Sequence, residues 1–105
     1  MKTLKEIKQI MEEQKEVYRK QYKVKELSLF GSYVRKEQKE TSDLDILVEF
    51  EKPVSLLHLV SFENYLTDIL EVRVDLVPKK NLRKEIKEVI LKEAIPVWVE
   101  ILNFF

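Results

Sequence analysis

Three aspartates in this sequence stand where carboxylates could do chemistry. Asp43 and Asp45 open an apolar run typical of a β-strand, and Asp75 interrupts another such run. A strand points successive side chains to opposite faces, so the spacing of two aims Asp43 and Asp45 the same way. An unpaired buried charge is costly, and hard cations such as Mg²⁺ prefer carboxylate oxygens. The pattern therefore indicates a divalent-cation site with room for a substrate phosphate.

The single glycine of the chain, Gly31, ends an earlier apolar run and is followed by Ser32. Ten residues separate this pair from the first of the aspartates. A glycine lets backbone N–H groups approach phosphate oxygens, and a helix starting at residue 33 would direct its positive end at the anion. The Ser32 hydroxyl and the nearby Arg35 could add further contacts. The stretch predicts a phosphate-binding turn.

Each of these signals has an ordinary alternative when taken alone. A Gly-Ser pair is more often a simple turn, and an Asp-x-Asp pair in a strand can be a coincidence. Asp75 could be the ion-pair partner of Arg73 or of a lysine. The combination of strand, Gly-Ser, ten residues, Asp-x-Asp, helix and strand with Asp is far more specific than any one of them.

Hydrophobic periodicity predicts a small α/β domain whose helices pack on a sheet. A Thr3–Glu6 capping box predicts a helix over 3–22, and Ser55 and Asn81 are expected to cap two later helices. The last of these should bury Leu82, Ile86, Val89, Ile90 and Ala94. The predicted helices are 3–22, a short one within 33–39, 56–70 and 82–94; the predicted strands are 24–30, 44–50, 72–77 and 97–101. Because a helix joins the second and third strands, these two should be parallel neighbours.

Composition excludes several classes of protein. The 105 residues suit one domain, and the 19 basic and 19 acidic side chains cancel, so no strong nucleic-acid binding is expected. The absence of cysteine excludes disulfides and metal sites with thiolate ligands. The presence of one histidine disfavours a zinc site with histidine ligands. No apolar run reaches the ~18 residues of a membrane span. We expect a cytoplasmic protein that does not bind membranes.

These residues resemble the signature of the DNA polymerase β-type nucleotidyltransferase superfamily. Within it, the short chain is similar to the minimal nucleotidyltransferases (MNT), which include the antitoxin partners of HEPN ribonucleases. The resemblance covers about residues 24–98, the expected catalytic core of a single domain of residues 1–105. It implies a small mixed sheet flanked by helices, two Mg²⁺ ions and a nucleoside triphosphate, usually ATP.

The resemblance also implies a role for each matching residue. Gly31 and Ser32 would hold the triphosphate. Asp43 and Asp45 would ligate both metals, and Asp75 would ligate the metal that activates the attacking hydroxyl.

Three further positions follow or depart from the family's pattern. Arg35 matches a basic residue common in the opening Gly-Ser-x-x-Arg. Lys36 stands where many members have a second glycine, which leaves the turn beyond Arg35 unpredicted. Glu37 matches an acidic residue often found there, to which the sequence assigns no role.

The implied activity is transfer of AMP from ATP to a hydroxyl, with a tyrosine of a HEPN-type partner toxin as the expected acceptor. Since the chain is too short for its own acceptor-binding domain, the acceptor should lie on a partner. Two alternatives stay open: a non-catalytic antitoxin that inhibits its partner by binding, and transfer to a small molecule in a pocket completed by a dimer. The sequence leaves the homo- or hetero-oligomeric state open.

Overall fold

A four-stranded mixed β-sheet organises the fold in the computed structural model, which describes residues 2–100. The strands are β1 (Val24–Phe30), β2 (Leu44–Phe50), β3 (Val74–Pro78) and β4 (Ile95–Val99). They lie in the order β3-β2-β1-β4, with β2 and β3 parallel and β1 antiparallel to both of its neighbours. This confirms the predicted mixed sheet and its parallel pair.

Five α-helices surround the described sheet. They are α1 (Leu4–Glu12), α2 (Lys15–Lys20), α3 (Ser32–Arg35), α4 (Leu56–Leu70) and α5 (Lys84–Glu93), with a 3₁₀ turn at Lys79–Asn81. The Thr3–Glu6 capping box forms as predicted, and the Ser55 hydroxyl accepts the His58 amide at the start of α4. Among the described helices, none combines the length and the apolar character needed to cross a membrane.

The predicted helix over 3–22 is wrong in one respect, because the structure breaks it into α1 and α2. Residues 12–16 are all polar, so no buried side chain holds the chain against the sheet at this point. The break places Gln14 where its side-chain oxygen accepts a hydrogen bond of 2.9 Å from the Tyr65 hydroxyl. The segment between α1 and α2 is therefore hydrogen-bonded to α4.

The last predicted helix also differs from the structure. Asn81 lies inside the 3₁₀ turn instead of capping α5, because Leu82 and Arg83 are extended and delay the helix to Lys84. The expected inner face is not buried: Ile86 and Val89 are 47% and 67% exposed.

The predicted last strand over 97–101 begins earlier, at Ile95, and residue 101 lies outside the described residues. This strand contains Pro96, which lacks a backbone N–H, and its position at the edge of the sheet allows that.

The two faces of the sheet differ in chemistry because of the period-two alternation along each strand. One face is apolar and packs against α1, α2 and α4; its buried strand residues are Leu27, Leu29, Leu44, Ile46, Val48, Val74 and Leu76. We call this the core face. The opposite face, called here the site face, carries Phe30, Asp45 and Asp75 in one row of paired positions.

Aromatic rings fill the space between the core face and its helices. Phe62 lies at the centre, with the ring of Tyr22 4.7 Å away and that of Tyr18 5.9 Å away. Trp98 from β4 contacts Tyr18 edge-on, as T-shaped aromatic pairs prefer. The core therefore lies on the side of the sheet away from the three aspartates.

Candidate active site

Asp45 and Asp75 lie side by side on the site face. Asp45 is the second residue of β2 and Asp75 the second of β3, and the parallel register pairs them directly. On its other side Asp45 pairs with Phe30, the last residue of β1. The sheet thus brings two of the three predicted carboxylates to the point where the chain turns at Gly31.

Gly31 lies so close to the carboxylate of Asp45 that a side chain at position 31 would displace it. Its φ of +80° lies in the region that favours glycine, and an added Cβ would overlap the Asp45 carboxylate. The backbone conformation therefore requires the only glycine of the sequence, and the position of the Asp45 carboxylate favours it as well. The turn and the carboxylate form one compact unit.

Burial and neighbouring charges both act on the pKa of Asp45. Burial, as the largest cause, and the nearby negative charges of Asp75 and Asp43 together raise the pKa from 3.8 to about 6. Arg35 acts in the opposite direction, and Glu93 adds to the rise. Four carboxylates therefore act on one region in which Arg35 supplies a compensating charge.

Asp43 lies one residue before β2, and its carboxylate makes only a weak contact. Its Oδ1 is 3.8 Å from Nε of the exposed Arg73, which is a weak ion pair. It borders a cleft of about 570 Å³, within the usual size range of small-molecule sites. The cleft is lined by Tyr33, Glu40, Thr41, Ser42, Asp43, Glu71, Val72 and Arg73. This cleft offers space for a ligand beside Asp43, one of the three predicted catalytic aspartates.

The carboxylates suit a hard divalent cation by their chemistry but are not gathered around one point. Across residues 2–100, no group of three or more His, Cys, Asp or Glu side chains lies close enough to hold a metal ion. The donor set is nevertheless all oxygen, and a cation would relieve the repulsion that raises the pKa of Asp45. Asp45 and Asp75 occupy paired positions of β2 and β3 and are therefore the best placed to bind a cation together.

The start of α3 presents the donors predicted for a phosphate. The helix begins at Ser32, one residue earlier than expected, and has a single turn, so its dipole is small. The amides of Val34 and Arg35 donate to the Gly31 carbonyl. The amides of Ser32 and Tyr33 come before these and have no acceptor within the helix. Together with the Ser32 hydroxyl they are the donors that directly follow the Gly31 turn, which contacts Asp45.

Arg35 faces two carboxylates. Its Nη1 is 2.7 Å from Oε1 of Glu93 and its Nε is 3.2 Å from Oε2 of Glu37. Both carboxylates raise the pKa of Arg35, with Glu93 the stronger. Glu37, to which the sequence assigned no role, is therefore a partner of Arg35.

Glu93 is the site residue that the sequence did not reveal. Its Oε2 accepts the Gly31 amide at 3.1 Å while its Oε1 binds Arg35. The register explains this contact: Leu29 of β1 pairs with Ile95 of β4, so antiparallel strands bring residue 93 opposite residue 31. The local signal was its spacing, since Glu93 lies four residues after Val89 and three after Ile90, beside the apolar stripe of α5.

Comparison with known proteins gives a consistent result. Residues 4–97 match the family described as nucleotidyltransferase domain. Among its relatives, a candidate protein adenylyltransferase of Methanocaldococcus jannaschii is 52% identical over 82 residues, which cover 78% of this chain and 84% of the relative. The protein adenylyltransferase MntA of Thermococcus cleftensis is 46% identical over 97 residues, which cover 92% of this chain and 98% of the relative.

Solved structures share the fold. A minimal nucleotidyltransferase structure superposes with a TM-score of 0.69 at 33% identity, over 87% of this chain and 88% of the other. The complex of a tri-AMPylated Shewanella oneidensis HEPN toxin with its MNT antitoxin gives 0.64 at 20% identity, over 89% and 73%. The second likeness concerns the fold alone.

Proposed function

The chain belongs to the nucleotidyltransferase domain family, and from this premise we propose that it transfers AMP from ATP to a hydroxyl of a partner protein. The observation that carries the proposal is the contact between the Gly31 turn and Asp45, with Asp75 paired beside it. A phosphate-binding turn and a pair of carboxylates are the two halves that nucleotidyl transfer needs. A protein acceptor is supported by the protein adenylyltransferase MntA, which matches nearly the whole chain.

The reaction is a displacement at the α-phosphorus of ATP. The acceptor oxygen forms a bond to that phosphorus, the bond to the bridging oxygen of the β-phosphate breaks, and pyrophosphate leaves. The hydroxyl proton passes to water, so the products are the adenylylated hydroxyl, pyrophosphate and a proton. Ser32 and the amides that begin α3 bind phosphate oxygens, and the Gly31 turn brings them beside Asp45.

Asp43, Asp45 and Asp75 are the residues that would hold two Mg²⁺ ions. When bound, such ions neutralise the charge that develops on the attacking and leaving oxygens. Without a cation, the pKa of Asp45 is raised by burial first and by repulsion from Asp75 second. The cleft beside Asp43 has room for the nucleotide or for the side chain of an acceptor.

A HEPN-type toxin is the proposed partner and a tyrosine its proposed acceptor. The described residues form one four-stranded sheet with its helices, and the proposal places the acceptor on a separate protein. The fold is that of an MNT antitoxin found in complex with an AMPylated HEPN toxin. Modification of the partner would then neutralise it, so that the chain acts as an antitoxin.

The proposal is tested with ATP labelled at the α-phosphate, Mg²⁺ and a purified HEPN toxin. The parent chain is expected to label the toxin, whereas ATP labelled at the γ-phosphate leaves it unlabelled because pyrophosphate departs. Asp43→Asn is expected to lower labelling by about 10²-fold or more. Asp68→Asn, an exposed aspartate on α4, is the matched control and should label like the parent.

The same variants separate catalysis from simple binding. If Asp43→Asn fails to label the toxin and also fails to neutralise it, transfer is the function. Neutralisation that persists in Asp43→Asn would favour the alternative of a non-catalytic antitoxin, as would absence of labelling by the parent with a toxin it binds. Labelling of an added small molecule in place of protein would identify the third class.

A further inference from the structure

The carboxylate of Glu93 joins two parts of the site that are otherwise separate. One oxygen accepts the Gly31 amide at 3.1 Å, and the other lies 2.7 Å from the Arg35 guanidinium. These donors flank α3, one before its first residue and one at its last. A single side chain from α5 therefore spans the whole phosphate-binding turn.

Helix geometry alone does not explain why a carboxylate lies there. Glu93 is the last residue of α5, where the negative end of the helix dipole disfavours an anion. Its side chain is only 18% exposed, and its charge adds to the crowding around Asp45. The two charge-assisted hydrogen bonds must offset these costs, since such bonds are about twice as strong as neutral ones.

We propose that Glu93 is a positioning residue of the nucleotide site, which fixes the Gly31 turn and Arg35 in the geometry that binds the triphosphate. This rests on the proposed function, because it concerns the same site. Glu93 takes the Gly31 amide and leaves the Ser32 and Tyr33 amides for the ligand. It also orients the Arg35 guanidinium by binding Nη1, while Glu37 binds Nε, so that Nη2 is left for a phosphate.

The register of the sheet makes this arrangement rigid. Ile95 pairs with Leu29, so the junction between α5 and β4 is fixed next to the end of β1. Glu93 is thus held by the backbone of the sheet rather than by a loop. A rigid support of this kind lowers the cost of ordering the turn when a ligand binds.

Binding of AMP-PNP with Mg²⁺ to the full chain tests the role of Glu93. Glu93→Gln keeps the shape and an acceptor oxygen but removes the charge, and we expect its Kd to rise about tenfold, the loss of one charge-assisted bond. Glu88→Gln, an exposed glutamate on the same helix, is the matched control and should bind like the parent. Glu93→Gln should weaken binding less in an Arg35→Gln background than in the parent, because Glu93 acts partly through Arg35 and partly through the Gly31 amide.

The single glycine provides a second readout that does not depend on nucleotide. Protein labelled with ¹⁵N-glycine should give one backbone amide signal, that of Gly31. In Glu93→Ala this amide loses its acceptor, so we expect its signal to shift and its hydrogen exchange to accelerate. Glu88→Gln should leave the signal in place.

The outcomes distinguish this inference from the proposed function. If the parent does not bind AMP-PNP, the proposed function fails. If the parent binds and Glu93→Gln binds equally well, the positioning role is overturned, even when the variant melts at a lower temperature. Tighter binding by Glu93→Gln would also overturn it, since Glu93 would then compete with the phosphates for the same donors.

Discussion

The same strands form two faces of the sheet that contribute to stability in opposite ways. On the core face, Leu29, Ile46 and Leu76 alternate with site residues and are fully or almost fully buried under helices. On the site face, Asp45 and Asp75 occupy neighbouring positions, where their charges repel. The core face stabilises the fold by burying apolar surface. The site face holds the two carboxylates close together although their charges repel, which lowers stability.

The difference indicates where the stability of the protein is located. The aromatic cluster around Phe62 contributes favourable burial and edge-on contacts. The site face contributes crowded carboxylates and a turn with two residues at positive φ, Gly31 and Lys36. Substitutions on the two faces should therefore shift the free energy of unfolding in opposite directions.

The largest effect is expected for Phe62→Ala. Phe62 is fully buried between α4 and the core face, so truncation leaves a cavity and should lower the free energy of unfolding by about 3–5 kcal/mol. Urea unfolding followed by circular dichroism measures the change. Leu57→Ala, on the same helix but 80% exposed, is the matched control and should change it by less than about 0.5 kcal/mol. Equal effects of the two would show that burial on the core face does not dominate stability.

The sequence predicts the core face well because periodicity reports burial directly. The strands over 24–30 and 44–50 and the helix over 56–70 have the predicted bounds. The parallel pairing of β2 and β3, and with it the meeting of Asp45 and Asp75, followed from the crossover helix. Local pattern and topology were enough for these features.

What the sequence did not predict depends on contacts between distant parts of the chain. Glu93 is 62 residues from Gly31, and only the register of β4 against β1 brings them together. The prediction that α5 buries its apolar stripe was wrong for a related reason. Ile86 and Val89 have the spacing of buried residues, but nothing in the described chain covers them. A pattern shows that a face could be buried, and the tertiary structure decides whether it is.

Asp45→Asn should raise stability while it abolishes transfer. Since the folded state raises the Asp45 pKa from 3.8 to about 6, the folded chain holds this proton more tightly than the unfolded chain. The cost of ionisation is absent below pH 4, grows between pH 4 and 6, and is complete above pH 6. The whole rise would correspond to about 3 kcal/mol, which solvent screening of a partly exposed group reduces to about 1 kcal/mol.

Thermal melts at pH 7.5 and pH 4 test this asymmetry. With about 1 kcal/mol gained, Asp45→Asn should melt roughly 4–8 °C above the parent at the higher pH and close to it at the lower. Mg²⁺ should raise the melting temperature of the parent more than that of the variant, because a cation relieves the same repulsion. Asp68→Asn is the control at both pH values. A variant that melts below the parent at pH 7.5 would mean that Asp45 stabilises the fold, and the contrast between the faces would fail.

The smallest expected change comes from Lys36→Gly at the end of α3. Lys36 has a φ of +60°, a left-handed conformation that is unfavourable for a residue with a Cβ. Many members of the family that the sequence resembles have a glycine at this position. The lysine adopts this left-handed conformation at a cost in backbone free energy. Lys36→Gly should raise the free energy of unfolding by about 0.5–1 kcal/mol, the relief being partly offset by the greater freedom of glycine in the unfolded chain.

Lys23→Gly distinguishes relief of backbone strain from an effect on the site. Lys23 has a φ of +58° and precedes β1, at the end of the sheet away from Gly31. Both variants should be stabilised by a similar amount, and both should bind AMP-PNP within about twofold of the parent, since Glu93 and not Lys36 fixes Arg35. If Lys36→Gly alone weakens binding, the lysine conformation is part of the nucleotide site, and its strain is retained for function.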